Sequence, residues 1–275
     1  MMKAVFSKFL RDVKLLFVAD KLRFFLAKNK NAKNNKQFQN SHPDFAFPPD
    51  YLMYESFSLS YESYYKSGDA AAKFLLEIFK KYSHSDHPKI LDWGCGPARV
   101  VRHIPKYVNS IHTHTHTHTQ TGVYATDYNQ ETIAWNKNNI KDVAFNLNTL
   151  EAILPYENSF FDFVYGISIF THLSGKMHIE WRNELSRVIK KDGILLLTMQ
   201  GNFFKSILTE SEIKDFEADQ LVVRGNVKEG HRTYSAFHPD KFVNELFKGF
   251  TVLEHQNSYL NNGRPEQDVW VLKKK

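Results

Sequence analysis

Hydrophobic and polar positions along this chain follow two different periods, and the changes between them mark its elements. From Lys89 onward, short apolar runs lie at Lys89–Trp93, Gly122–Asp127, Val143–Leu147, Phe161–Ser168 and Gly193–Gln200. Between them, at Ala98–Tyr107, Gln130–Ile140 and Lys176–Lys190, apolar residues recur every three or four positions. The runs predict buried strands and the longer period predicts helices. Such alternation predicts a doubly wound α/β fold, a mostly parallel sheet with helices on both faces. A further helix is expected over Ala70–Tyr82, with Ala71, Phe74, Leu75, Ile78 and Phe79 on its buried side. Phe250–His255 and Asp268–Leu272 flank the turn formers Asn261, Asn262, Gly263 and Pro265, which predicts an antiparallel pair at one edge of the sheet. The polar stretch 202–237 breaks the alternation and is expected to be an insertion or lid after the fifth strand.

Ahead of this body, Val5, Phe6, Phe9, Leu10, Val13, Leu16 and Phe17 are spaced as one stripe of an amphipathic helix. Asn31–Ser41, rich in Asn, Lys and Gln, is expected to be a solvated linker. The division is then a helical extension and linker over 1–41 and a main domain over 42–275. Charge is concentrated in the extension: residues 1–36 hold ten Lys or Arg against Asp12 and Asp20, a charge of +8, which leaves −2 for the rest of a chain whose total is +6. A body with that balance is not expected to bind nucleic acid, whose recognition places a basic footprint on the folded domain. Charges interrupt every apolar run of the extension, so it is expected to lie on an anionic membrane face through residues 1–30, or to pack on protein, and not to span a bilayer. Cys95 is the only cysteine, which excludes an intrachain disulfide and favours a reducing compartment. The expected location is cytoplasmic, with peripheral contact at the inner membrane face. The repeat His112–Thr119, four His-Thr pairs, could capture a metal but carries no carboxylate or thiol; it is read as a tolerated surface insertion, and no metal site is expected.

The chemistry is carried by Ile90–Val101, ILDWGCGPARVV. An apolar strand runs into an acid and a Gly-x-Gly turn, where Gly94 and Gly96 can take positive φ and a following helix would offer unpaired N–H groups to a nucleotide cofactor. A dinucleotide fold places a third glycine where this chain has Arg99, and has no need of Asp92, which would repel a pyrophosphate. An acid suits a ligand carrying ammonium and sulfonium charges. Asp127, at the carboxyl end of the second strand, can accept both hydroxyls of a ribose; an N-cap on the next helix is its alternative role. It stands 31 residues after Gly96, a gap lengthened by the histidine repeat.

With ILDWGCGPA, VYATDYN, LPYENSFFDFVYGIS and ELSRVIKKDGILLLTM, residues 64–200 resemble the class I S-adenosylmethionine-dependent methyltransferases. The resemblance implies a seven-stranded Rossmann-like sheet with its last strand antiparallel, and S-adenosylmethionine as cofactor. It implies that Asp92, Gly94, Cys95 and Gly96 surround the methionine part, that Asp127 binds the ribose, that Tyr128 packs on the adenine and Asn148 meets its edge, and that Ser168 contributes to the same pocket. Ala98 departs from the glycine many relatives have there. The segment GISIFTHL, residues 166–173, would face the transferred methyl, making His172 the candidate base; capping or packing a helix start is its alternative role. No Asn-Pro-Pro-Tyr or Asp-Pro-Pro-Tyr is present, so the expected acceptor is a small molecule, lipid or glycan, gripped by His231, Arg232, Tyr234 and His238 of the insertion. A nicotinamide-dependent oxidoreductase and a non-catalytic cofactor-binding module are the alternatives.

Overall fold

The computed structural model describes residues 16–83, 85–109, 122–258, 260–261 and 264–275; the His-Thr repeat and the stripe from Val5 to Val13 lie outside the described residues. Seven strands form one mostly parallel sheet: β1 (Ile90–Trp93), β2 (Val123–Asp127), β3 (Ala144–Leu147), β4 (Phe161–Ile167), β5 (Ile189–Met199), β6 (Phe250–Gln256) and β7 (Asp268–Lys274). Their order is β3-β2-β1-β4-β5-β7-β6. This is the expected doubly wound class. The chain divides into two compact bodies, one of residues 19–149 with 161–163, the other containing residues 150–160 and 164–275.

In the first body β1 pairs in parallel with β2, and β2 with β3, so that Asp92 stands opposite Ala125 and Asp127 opposite Leu147. Helix α1 (Leu16–Ser41) runs through the stretch 31–41 that was expected to be a linker. Composition misleads there because tertiary contacts hold the polar turns: Asn35 donates to Leu59 O at 2.7 Å and accepts from Tyr61 N at 3.0 Å, and Phe38 stacks on His42. Nearer its start, Phe24 meets Tyr51 and Tyr54 edge to face, and Tyr54 Oη donates to the Asp20 carboxylate at 2.9 Å. Tyr51 and Tyr54 belong to α2 (Asp50–Ser56). Helix α3 (Tyr61–Tyr82) starts nine residues earlier than its apolar spacing suggested, because Ser60 caps it by accepting from Ser63 N. Its buried face includes Tyr64, Gly68, Ala72, Leu75, Leu76 and Phe79, and Phe79 stacks on Phe163. The helix expected over Ala98–Tyr107 shrinks to a 3-10 turn at Val101–His103 and α4 (Ile104–Asn109). Helix α5 (Gln130–Asn139) follows β2 and is capped by Asn129, whose side chain accepts from Glu131 N and Thr132 N.

In the second body β7 runs antiparallel to both β5 and β6, which is the expected antiparallel pair. Helix α6 (Gly175–Val188) leads directly into β5, which begins four residues before the predicted Gly193. Arg187 near the end of α6 donates to the main-chain oxygens of Leu154 and Tyr156 and pairs with Glu184, which accepts from Leu154 N at 2.6 Å. The stretch 202–237 is ordered secondary structure: a 3-10 turn at Asn202–Ile207, α7 (Glu210–Glu217), and a hairpin of Val222–Arg224 with Ser235–Phe237. Its own apolar cluster of Phe204, Leu208, Phe216, Val222 and Phe237 explains how so polar a segment folds. Arg224 closes it with a bidentate pair to Glu212, whose carboxyl burial alone would raise but which Arg224 holds at about 2.

Buried imidazoles set a pH limit on this fold. Burial pulls His103 and His178 down to about 4 and His238 well below its usual value. Between that value and the unfolded one near ~6.5, the unfolded chain binds more protons, so stability rises with pH across this window. The melting temperature should fall steadily as pH drops from 7 to 4.5 at constant ionic strength; a flat or rising profile would contradict these burials.

Candidate functional site

β1 ends at Trp93 and the chain turns at once, with Gly94 at φ 77° and Gly96 at φ 50°. Ala98 also adopts φ 60°, a conformation that costs a residue with a Cβ roughly 1–2 kcal/mol. That strain accounts for the shortened helix, since the chain leaves the loop left-handed instead of entering a helical turn. The main-chain donors of the loop are all engaged internally. Gly94 N and Cys95 N both donate to Thr126 O at 2.9 Å, Gly96 N donates to Asp127 Oδ2 at 2.8 Å, and Ala98 N donates to Cys95 O at 3.0 Å. Pro97 has no N–H. The expected bank of spare N–H groups is therefore absent from 94–98, and a pyrophosphate would find no donor there.

Three residues not anticipated from the sequence hold this loop in shape. Tyr64 Oη donates to Pro97 O at 2.5 Å. Gly68 brings α3 so close that an added Cβ would collide with Arg99 O. Asn136, on α5, donates to Gly96 O at 2.9 Å. None of the three lay inside an element or motif that the sequence analysis singled out for this site.

Asp127 is buried with its two oxygens engaged separately, Oδ2 by Gly96 N and Oδ1 by Asn129 N at 2.8 Å. The N-cap role belongs to Asn129. Burial raises the Asp127 carboxyl above its usual range, while main-chain donors from Asn129, Gly96 and Tyr128 oppose that rise. Each oxygen keeps a further lone pair, so the carboxylate can still accept two hydroxyls. Asn148 is linked to the same strand end by its N–H to Asp127 O at 3.1 Å. Its Nδ2 donates to Thr149 O at 2.6 Å, while Oδ1 is buried with no hydrogen-bond partner among the described residues. A buried acceptor without a donor suits an exocyclic amine. Tyr128 is half-exposed, and burial, then the charges of Asp127 and Glu55, push its phenol up to about 12, so it presents a neutral ring. Asp92 is buried on β1. Cys95 is buried too, and burial with the charges of Asp127 and Asp92 raises its thiol well above its usual value, which makes it a space-filling residue and not a nucleophile. The structure thus brings Asp92, Gly94, Cys95, Gly96, Asp127, Tyr128 and Asn148 together within the first body.

Ser168 and His172 belong to the second body. Ser168 follows β4 with φ 65° and is fixed by a closed network: its N–H donates to Thr198 Oγ1 at 2.8 Å, Gln267 Nε2 donates to its Oγ at 2.7 Å, and Thr198 Oγ1 donates to Gln267 Oε1 at 2.6 Å. Thr171 Oγ1 donates to Ser168 O, which leaves Ser168 Oγ as the donor to Thr171 Oγ1 at 2.9 Å. His172 stands on a 3-10 turn, Phe170–His172. Its Nδ1 lies 2.8 Å from Tyr234 O, and since a carbonyl can only accept, Nδ1 carries the proton and Nε2 is the basic nitrogen. Burial lowers its pKa, with Tyr234 O opposing, so it is neutral at pH 7. Gly230 N donates to His172 O at 2.9 Å, a second tie from the insertion.

Of the proposed acceptor-gripping residues, His238 does not face a ligand. It is 1% exposed and its Nε2 lies 2.9 Å from His178 Nε2, whose Nδ1 is used by Ser174 O, so His238 is a core residue donating to its neighbour. His231 Nδ1 contacts Thr233 Oγ1 at 2.8 Å, and Tyr234 is buried.

Comparison with known proteins agrees with the fold. The family described as "Methyltransferase domain" matches residues 91–197. A search of the curated proteins finds no match. Among solved structures, an S-adenosylmethionine-dependent methyltransferase from Methanosarcina mazei is similar at a TM-score of 0.53 and 17% identity, covering 72% of this chain and 96% of that one. A 1,6-didemethyltoxoflavin-N1-methyltransferase from Burkholderia thailandensis, with 1,6-didemethyltoxoflavin and S-adenosylhomocysteine bound, is similar at 0.51 and 12% identity over 76% and 79%. A third, the PH0226 protein from Pyrococcus horikoshii, gives 0.52 and 16% over 83% and 100%.

Proposed function

We propose that this chain, whose residues 91–197 match a methyltransferase domain, is an S-adenosylmethionine-dependent methyltransferase acting on a small-molecule, lipid or sugar acceptor at oxygen or nitrogen. The observation that carries the choice of cofactor is the loop whose N–H groups are spent on Thr126 O and Asp127, together with a carboxylate that retains capacity for a ribose. That combination fits a nucleoside without phosphates and speaks against a nicotinamide dinucleotide.

S-adenosylmethionine supplies a methyl already activated on a sulfonium. The chain's task is then orientation, exclusion of water and, for a hydroxyl or ammonium acceptor, removal of one proton. In this reading Asp127 accepts the ribose hydroxyls, Asn148 Oδ1 accepts from the adenine amine, the Tyr128 ring packs on adenine, and the Asp92 carboxylate balances the positive methionine part. Gly94 and Gly96 give the loop its left-handed turns, with Cys95 filling it. His172 Nε2 would take the acceptor's proton. Arg232, His231 and Tyr234 of the insertion select the acceptor.

Incubation with methyl-labelled S-adenosylmethionine and a fractionated extract should move label into a small-molecule, lipid or glycan fraction, and His172→Gln should slow that transfer roughly a hundredfold or more without weakening cofactor binding. Label in no fraction would favour a non-catalytic module; full activity in His172→Gln would remove it as base.

We further propose that the N-terminal extension makes peripheral contact with an anionic membrane from the cytoplasmic side. Support comes from the exposed face of α1: Leu22, Phe25 and Leu26, all more than half exposed, stand among Lys21, Arg23, Lys28 and Lys30. No helix among the described residues is long and apolar enough to cross a membrane. Because Phe24 and Asp20 pack on Tyr54, deletion would damage the fold, and Leu22→Glu/Phe25→Glu/Leu26→Glu is the cleaner test. That variant should lose cosedimentation with phosphatidylglycerol vesicles and keep its cofactor affinity; unchanged cosedimentation would reject the contact.

A further inference from the structure

Three side chains from separate stretches of the second body converge on one another. Asp240 is in the first turn of α8 (Asp240–Leu246), His255 is near the end of β6 and Asp268 is the first residue of β7. One ligand atom from each lies within 4.8 Å of the other two. We propose that Asp240, His255 and Asp268 bind a single divalent ion of the first transition row, of the Mn2+ or Zn2+ type.

Each ligand is already oriented by a group of its own, as metal ligands generally are. Asp268 is 1% exposed, and Gly201 makes the room, since a Cβ there would collide with its carboxylate. Its Oδ1 accepts from Ser258 N at 2.9 Å and its Oδ2 lies 3.2 Å from His255 Nε2. His255 is held flat against Trp270, its register partner on β7, with ring centroids 3.6 Å apart and planes at 16°. Asp240 Oδ1 accepts from Asn202 Nδ2 at 3.1 Å.

A separate observation points to a ligand. Ser258, whose N–H is bonded to Asp268, is 5% exposed, and its Oγ is buried with no hydrogen-bond partner among the described residues. A buried hydroxyl on the residue whose N–H holds Asp268, without a partner among the described residues, is what an unfilled coordination shell leaves behind.

The donor set selects the ion. Mg2+ and Ca2+ favour all-oxygen shells, whereas one imidazole with two carboxylates suits Mn2+, Fe2+ or Zn2+. Without metal, His255 Nε2 carries the proton it donates to Asp268; coordination replaces that proton. The bound ion would fix the start of β7, from which Gln267 reaches Ser168.

The test uses the full chain with His112, His114, His116 and His118 changed to Asn, so that the repeat cannot capture metal. Titrated with Mn2+, Zn2+ and Mg2+, it should bind one equivalent of Mn2+ or Zn2+ and no Mg2+, and its melting temperature should rise with the ion that binds. Asp240→Asn and His255→Gln should abolish stoichiometric binding, and Asn202→Ala should weaken it roughly tenfold or more. Absence of saturable binding of both ions, or binding undiminished in Asp240→Asn, would overturn the site. If His255→Gln fails to fold, Co2+ in the repeat-free chain decides: intense visible bands of a low-symmetry nitrogen-containing site support it, and the weak bands of the hydrated ion would overturn it.

Discussion

The hydrogen bond from Gly96 N to Asp127 Oδ2, 2.8 Å long, joins the loop after β1 to the end of β2. Much else in the first body depends on it. It uses the one loop amide that Thr126 O and Cys95 O leave over, and it fixes a buried carboxylate whose desolvation would otherwise favour the neutral acid. Tyr64, Gly68 and Asn136 then act as braces, each meeting a main-chain group of the loop. A loop built this way presents a carboxylate and a shape, and no phosphate-binding amides, which fits the nucleoside site proposed for it.

The second body has a comparable point of fixation in Ser168, held left-handed by Thr198, Gln267 and Thr171. Strain of this kind persists only where neighbouring groups over-determine it. His172 lies four residues on, with its tautomer fixed by Tyr234 O. The insertion therefore supplies more than surface side chains: Gly230 and Tyr234 set both the main chain and the ring of the candidate base.

Much of this was legible in the sequence because it rests on local pattern. Strand runs with helical stretches between them gave the sheet, and an acid, two glycines and a second acid at a strand end marked the candidate cofactor residues. What escaped was set by long-range contact. Asn31–Ser41 reads as a linker until Leu59 and Tyr61 supply partners for Asn35. The helix expected from Ala98 is delayed by a left-handed Ala98 that no propensity scale would assign to alanine. His238 looked like a surface ligand-binder because nothing local reveals that His178, 60 residues away in sequence, accepts its proton. The partner of Asp240, likewise, is visible only once β6 and β7 are paired.

The most direct measurement is calorimetric titration with S-adenosylhomocysteine and with NADH, on the unaltered chain and on Asp127→Asn. A carboxylate holding a ribose contributes through charge-assisted hydrogen bonds worth about 1.5–3 kcal/mol, so the substitution should weaken S-adenosylhomocysteine binding roughly ten- to a hundredfold while NADH shows no saturable binding to either form. NADH binding more tightly than S-adenosylhomocysteine, or an affinity for S-adenosylhomocysteine indifferent to Asp127→Asn, would contradict the assignment of this loop to a sulfonium nucleoside.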